Sequence, residues 1–219
     1  MKILITSGGC KVPIDDVRHI TNFSSGRYGS ELMEHFTDFE NTEIIFFHEK
    51  GSNQSQYGPV DVKLYKNSSI RFIEYRDYYD YLKVKDIIRD EQPDIIISAA
   101  AISDYIIDKT EGKISSDNDE LVIRLKKGEK VLKSFRELAP DALIVGFKLL
   151  VSPSAEKRLV AINKALQHAD IVVYNDLTAL RGGNNERIVF GHGGVERFVK
   201  NAEELVDEII IRKFLSIGK

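Results

Sequence analysis

Apolar residues along this chain gather in short unbroken runs, and between the runs they recur at helical spacing. Ile3-Leu4-Ile5 opens the series, Thr42 to His48 follows, and Asp94 to Ala101 comes third, with Ala142 to Phe147 and Asp170 to Tyr174 completing it. A short run that is apolar on both faces suits a strand inside a parallel sheet, where helices cover it above and below. The intervening segments Ser30 to Phe39, Tyr78 to Arg89, Val131 to Leu138, Ala155 to Gln167 and Ala202 to Phe214 each predict a helix. Leu32, Met33, Phe36 and Phe39 form the buried stripe of the first, and Asp207, Glu208, Arg212 and Lys213 the solvated face of the last. Val60 to Tyr65 alternates like a half-buried strand, and helix is expected from there to Glu91, at least over Tyr78 to Arg89. The spacing of Tyr75, Tyr78, Tyr79 and Tyr81 fits packing on a sheet better than a stacking platform.

Strand and helix in alternation predict an α/β fold: a doubly wound, mainly parallel Rossmann-like sheet, in one domain over residues 1–219. The alternation breaks in four places. Gly51 to Pro59 is polar and turn-rich, a surface loop. Between Lys109 and Lys127 two strand-like runs, Lys113 to Ser115 and Leu121 to Leu125, flank the turn SDND and predict an inserted β-hairpin flap over about 109–128. Such a flap either folds over a site and carries Lys113 with it or is a solvated surface hairpin. Near the end, Arg187 to Phe190 and Arg197 to Val199 read as a strand pair. The longest interruption is Thr6 to Gly29, read as the loop from the first strand to the first helix. Ser7-Gly8-Gly9 allows close backbone approach, and Ser24-Ser25-Gly26 sits where helix amides point outward; both suit a phosphate.

Composition narrows the classes. With 42% apolar and 30% charged residues the chain reads as an ordinary soluble globular protein, and its net charge of −3 argues against a nucleic-acid partner. The one cysteine, Cys10, removes internal disulfides and most cysteine metal sites, and fits a turn filler better than a nucleophile. No apolar run approaches a membrane span, so no membrane partner and a cytoplasmic location are expected.

Strand ends at Thr6, Ala101, Phe147 and Asn175 converge on one crevice in such a fold. They offer backbone amides, the amide of Asn22, two or three lysines, the aromatic face of Phe147 and the carboxylate of Asp104, itself equally readable as a turn or helix cap. No Ser-His-Asp set, carboxylate pair or histidine cluster is evident, and His19 and His48 read as structural.

The signature TSGG…PID…VR.ITN.SSG..G, with AAAISDY at 99–105, KIS at 113–115, GFKLL at 146–150 and VYND at 173–176, resembles phosphopantothenoylcysteine synthetase, also called phosphopantothenate-cysteine ligase, over nearly the whole chain. The start at the first strand resembles the free-standing form, without a preceding decarboxylase domain. The resemblance implies that 4′-phosphopantothenate and L-cysteine are joined through an acyl-nucleotide formed from CTP, or alternatively ATP, with Mg²⁺, in a homodimer. By motif match Asn22 would hold the pantothenate side and the reacting carbonyl, and Lys113 would assist the acyl-nucleotide step or the attack of cysteine. Gly8, Ser24, Gly26 and Gly29 would line the nucleotide phosphates, and Phe147 and Asn175 would contact the nucleotide. Ala100, Ala101 and Asp104 would meet phosphopantothenate, and Arg18 the substrate of the neighbouring subunit.

The chain departs from the family pattern in three places. Lys164 stands for one of two helix lysines common in bacterial members, with Gln167 near the second; Glu129-Lys130-Val131-Leu132 replaces a proline-aspartate pair; and Gly9-Cys10-Lys11-Val12-Pro13 is closer to eukaryotic members. Two other readings stand beside this one: a nicotinamide-dependent oxidoreductase, weakened by the absence of GxGxxG, and a non-catalytic nucleotide-binding module.

Overall fold

A computed structural model of the protein describes residues 1–52, 62–65, 68–192, 194 and 196–216. Strand β1 (Lys2–Ser7) is followed by a small hairpin, β2 (Lys11–Pro13) and β3 (His19–Thr21), and then by helix α1 (Arg27–Phe36). Next come β4 (Thr42–Glu49), β5 (Val62–Tyr65), β6 (Ser68–Tyr75), α2 (Tyr78–Tyr81), α3 (Val84–Glu91) and β7 (Ile95–Ser98). The pair β8 (Tyr105–Ile106) and β9 (Lys126–Lys127) brackets the flap, before α4 (Val131–Leu138), β10 (Leu143–Leu150), α5 (Ala155–Leu166) and β11 (Ile171–Asp176). Helix α6 (Leu177–Arg181), β12 (Arg187–Gly191), β13 (Arg197–Val199) and α7 (Ala202–Ser216) end the chain.

Among the described residues nine strands form the main sheet, in the order β13-β12-β11-β10-β7-β1-β4-β6-β5. The six central strands are parallel, with antiparallel edges at β12–β13 and β5. This is the expected doubly wound class. Successive residues of a strand face opposite sides, so Ile3 and Ile5 pack with Leu32, Phe36, Leu205 and Ile209 of α1 and α7. Leu4 turns the other way, toward the layer that holds Tyr81, Ile88, Phe135 and Ile162. No helix among the described residues is long and apolar enough to cross a membrane.

Four local expectations are corrected. Glu208, expected on the solvated face of α7, is buried and paired with Arg212 (2.7 Å) and Arg197 (3.3 Å). Ser68 to Tyr75 is a strand and not part of a helix; Ser68, Ile70 and Phe72 are buried on one face while Ser69, Arg71 and Ile73 lie partly open on the other, the two-residue period of a sheet, and Tyr75 is buried on that second face. The loop from Thr6 to Gly29 contains the hairpin β2–β3. The runs Lys113 to Ser115 and Leu121 to Leu125 do not pair with each other. The flap is an irregular excursion closed at its base, where Tyr105 lies opposite Lys127 and Ile106 opposite Lys126. A lone ribbon with no apolar face to bury has little to stabilise it; here Ile107, Ile114 and Ile123 anchor the excursion one by one on the core. Of the loop expected over Gly51 to Pro59, residues 53–59 lie outside the described residues.

Tyr75, Tyr78 and Tyr81 are buried and pack the sheet as expected, whereas Tyr79 is exposed. Tyr75 also holds the first loop. Its hydroxyl lies 2.8 Å from the carbonyls of both Ser7 and Gly9 and has one proton to share between them. Tyr75→Phe would leave two buried carbonyls without that donor, and we expect a loss of about 1–3 kcal/mol of stability, read from urea unfolding midpoints. An unchanged midpoint would show that the loop does not depend on this hydroxyl.

Candidate active site

The order of the parallel strands reverses between β1 and β7: β4 and β6 extend the sheet from β1, while β10 and β11 extend it from β7. Loops leaving the carboxyl ends on either side of such a reversal run in opposite directions and open a crevice. Here the first two loops stay joined, because the Ala101 amide donates to the Gly8 carbonyl (2.9 Å) and that of Ala99 to Thr6 (3.1 Å). The opening is therefore shifted toward β10. It is a cleft of about 1290 Å³ between Asn22, the 100–105 loop, the carboxyl half of β10 and the inward face of α5.

Six of the residues singled out from sequence, Asn22, Ala100, Ala101, Asp104, Phe147 and Lys164, line this cleft together. Asn22 follows β3, and its Nδ2 donates to the carbonyls of Ala101 (3.3 Å) and Ile102 (3.0 Å). With Nδ2 engaged on the loop, Oδ1 is the atom left to accept a hydrogen bond from a ligand. Asp104 is exposed at the rim, and its carbonyl accepts from Gly128 (2.9 Å), tying the loop to the flap base. Phe147 packs edge-on against Tyr28 (6.0 Å between ring centres), and the Arg187 guanidinium lies 3.6 Å from the other ring's centre.

The glycines and serines of the first loop do not line the cleft. Gly8 has φ +98°, and a Cβ there would come within 2.7 Å of Glu49 Cβ. Gly26, at φ +75°, precedes α1 and accepts from Ser7 Oγ (2.9 Å). Ser24 Oγ accepts from the Gly26 amide (3.4 Å), and Gly29 packs against Ser7. Asn175 lies beside Leu149 on the sheet; its Oδ1 is buried with no hydrogen-bond partner among the described residues.

Lys113 is exposed on the flap and does not line the cleft. Arg18, expected to reach a neighbouring subunit, is engaged within its own chain, donating to Asp15 (3.0 Å) and to the Ile114 carbonyl (3.2 Å). Burial opposes ionisation of Asp15, but the amides of Val17, Ile114 and Arg18 and the Arg18 charge outweigh it and hold the carboxyl below its usual range.

Sequence reading found fewer cations than the cleft contains. Besides Lys164, its wall carries Lys127, Lys130, Lys148, Lys157 and Arg181, and none of the six has a carboxylate partner among the described residues. The available signal was periodic: Lys157 and Lys164 are seven apart on α5, two turns along one face. Gln167 instead borders a separate groove between α5 and the end of β12.

Glu49 is spent internally, accepting from the Gly9 amide (3.1 Å) and pairing with Lys11 (2.7 Å). In that arrangement it is not free to bind a ribose. Cys10 is buried, and burial pushes its thiol up to about 12, which fits packing and not nucleophilic chemistry. His48 is buried against Phe46, while His19 is exposed on β3. Among the described residues no group of three or more His, Cys, Asp or Glu side chains could hold a metal by itself. Asp104 and Glu156 are lining carboxylates available to a cation that arrives bound to phosphate.

Residues 1–216 match the family described as DNA/pantothenate metabolism flavoprotein C-terminal domain. The chain is 30% identical over 217 residues to the coenzyme A biosynthesis bifunctional protein CoaBC of Thermococcus kodakarensis, covering 95% of this chain and 50% of that protein. It is 29% identical over 256 residues to phosphopantothenate--cysteine ligase 1 of Arabidopsis thaliana, covering 96% of this chain and 80% of that one. The chain thus spans about half the length of the archaeal relative. The crystal structure of the DNA/pantothenate metabolism flavoprotein from Streptococcus pneumoniae superposes with a TM-score of 0.81 at 26% identity, over 99% of each chain. None of these matches supports a nicotinamide-dependent oxidoreductase.

Proposed function

The chain belongs to the DNA/pantothenate metabolism flavoprotein C-terminal domain family, and from that premise we propose that it joins 4′-phosphopantothenate to L-cysteine in coenzyme A biosynthesis. The observation that carries this reading is the cleft: its wall bears six cations without carboxylate partners, together with the Asn22 amide, the carboxylates Asp104, Glu129 and Glu156, and the Phe147 ring. Unpaired cations suit a site that gathers a phosphorylated acid and a nucleoside triphosphate, because their combined negative charge must be offset before they can meet.

The chemistry runs in two balanced steps. A carboxylate oxygen of phosphopantothenate attacks the α-phosphorus of the triphosphate, forming the acyl-nucleotide and releasing pyrophosphate. The amine of cysteine then attacks the acyl carbon, loses a proton, and expels the nucleoside monophosphate as the amide forms. Asn22 holds the pantothenate end at the loop it braces, and Lys113 brings positive charge from the flap. The wall lysines neutralise phosphate, and Phe147 offers its face to the nucleotide. Magnesium would enter with the triphosphate and shield its charge.

CTP is proposed ahead of ATP on the family resemblance. An exocyclic amine, present on both bases, is the kind of donor that the lone Asn175 Oδ1 lacks. A homodimer in the cytoplasm is part of the same reading. It is supported by the exposed apolar side chains Val17, Ile20 and Phe23 on the small hairpin and Leu121, Val122 and Leu125 on the flap, which a second copy would cover. Incubation with phosphopantothenate, cysteine, magnesium and either triphosphate is expected to release pyrophosphate and the matching monophosphate, with the higher initial rate for CTP. No release with either nucleotide would defeat the assignment.

A further inference from the structure

One buried carboxylate, held against the flap, has no part in this chemistry. Asp15 sits in the turn between β2 and β3 and is 3% exposed. Its two oxygens divide their contacts. Oδ1 closes the turn, accepting from the amides of Val17 (2.9 Å) and Arg18 (2.7 Å). Oδ2 accepts from the amide of Ile114 (3.1 Å), across on the flap, and from Arg18 Nη1 (3.0 Å). Arg18 Nη2 completes the clasp by donating to the Ile114 carbonyl (3.2 Å). Both polar groups of residue 114 are therefore held by this one ion pair.

The preceding peptide is held as well. The Gly112 amide donates to Asp16 Oδ2 (2.8 Å), and the Gly112 carbonyl accepts from the Asp16 amide (3.0 Å). Lys109 pairs with Asp16, and the Thr110 amide donates to Ile14 (2.9 Å). Lys113 is thus bracketed by clamped residues while its own side chain stays exposed. A turn needs only the Oδ1 contacts. Burying the second oxygen of a charged group to hold an otherwise irregular segment requires a return beyond turn closure.

We propose that Asp15 is a positioning residue that, through the Ile114 peptide, fixes the backbone from which Lys113 acts. The inference rests on the ligase reading, and it adds a residue to which no role was assigned from sequence. Because Asn22 follows the other arm of the same hairpin, the hairpin sets both reactive side chains.

Asp15→Asn separates the two functions. The remaining oxygen can still close the turn, whereas the new NH₂ would face the Ile114 amide and the guanidinium, donor against donor. In the whole chain this variant is expected to lose at least about tenfold in kcat, with KM for the triphosphate little changed and the thermal midpoint lowered, because the Ile114 amide and the Arg18 guanidinium lose a buried charged acceptor. In a Lys113→Ala background the same change is expected to cost nothing more, because residues acting as a unit are not additive. An equal fold loss in both backgrounds would mean a structural role and overturn the proposal, as would full kcat in Asp15→Asn or in Lys113→Ala. If Asp15→Asn fails to fold, Ile114→Pro removes the flap-side donor and leaves the turn intact; a folded Ile114→Pro enzyme with unchanged kcat overturns the proposal too. A wild-type protein that released no pyrophosphate would sink the ligase reading first, and this inference with it.

Discussion

Asn22→Ala is expected to lower kcat for pyrophosphate release by about 10²- to 10³-fold, the scale of loss when one polar group at the reacting centre is removed. Two effects combine. The variant removes the Oδ1 acceptor that faces the cleft, and it frees the Ala101 and Ile102 carbonyls that Nδ2 now restrains. The second effect loosens the 100–105 loop and with it Asp104, and small misplacements of this kind are costly in rate. Triphosphate affinity is expected to change little, since the cationic wall lies on other elements. Steady-state rates with phosphopantothenate and cysteine saturating, together with triphosphate binding by calorimetry, would separate these effects. A variant with wild-type kcat would remove Asn22 from the chemistry and leave it a loop brace.

Gly29→Ala is the second large effect, and it concerns stability. A Cβ at residue 29 would lie 2.3 Å from Ser7 Oγ and 2.7 Å from Ser7 Cβ. Rotating the Ser7 side chain relieves the first contact and not the second, because Cβ moves only with the backbone. Ser7 ends β1 at the centre of the sheet, so the adjustment must come from α1 backing away from its packing on Ile3 and Ile5. Overpacking of this kind costs about 1–3 kcal/mol, even though alanine is the better helix former in isolation. The thermal midpoint is expected to fall, and turnover with it, because Gly26 and the first turn of α1 move together. A midpoint at or above wild type would show that the contact relaxes without cost.

The sheet was legible from sequence because its strands are buried on both faces, and unbroken runs such as Ile95-Ile96-Ile97 have few other uses. Strand β6 escaped because the tyrosines after it mimic helical spacing, although Ile70 and Phe72 already alternate. The hairpin β2–β3 was hidden by its brevity: three-residue strands have no period to read, and β3 is exposed throughout. Among site residues, those on strand ends and in the signature could be found, and Asn22, Ala100, Ala101, Asp104, Phe147 and Lys164 do share one cleft. The remaining wall cations could not, because placing Lys127, Lys130 and Lys148 side by side requires knowing where the base of the flap and the end of β10 lie. Asp15 was visible within the PID motif, but its partner Ile114 is a contact between distant segments that no local pattern reports.

The order of strands also bears on how the chain is made. β1 is made before the other strands of this sheet, yet it needs β4 on one side and β7 on the other, so Ile3 waits for Ile95 before its second edge is closed. Nascent chains that have produced β4 but not β7 present an apolar strand with an open edge, the form of polypeptide most prone to pair with a stranger. Pulses of translation arrest within the α2–α3 segment should therefore yield more aggregate than arrest after β10, a vulnerability imposed by placing at the centre a strand that is made before both of its neighbours.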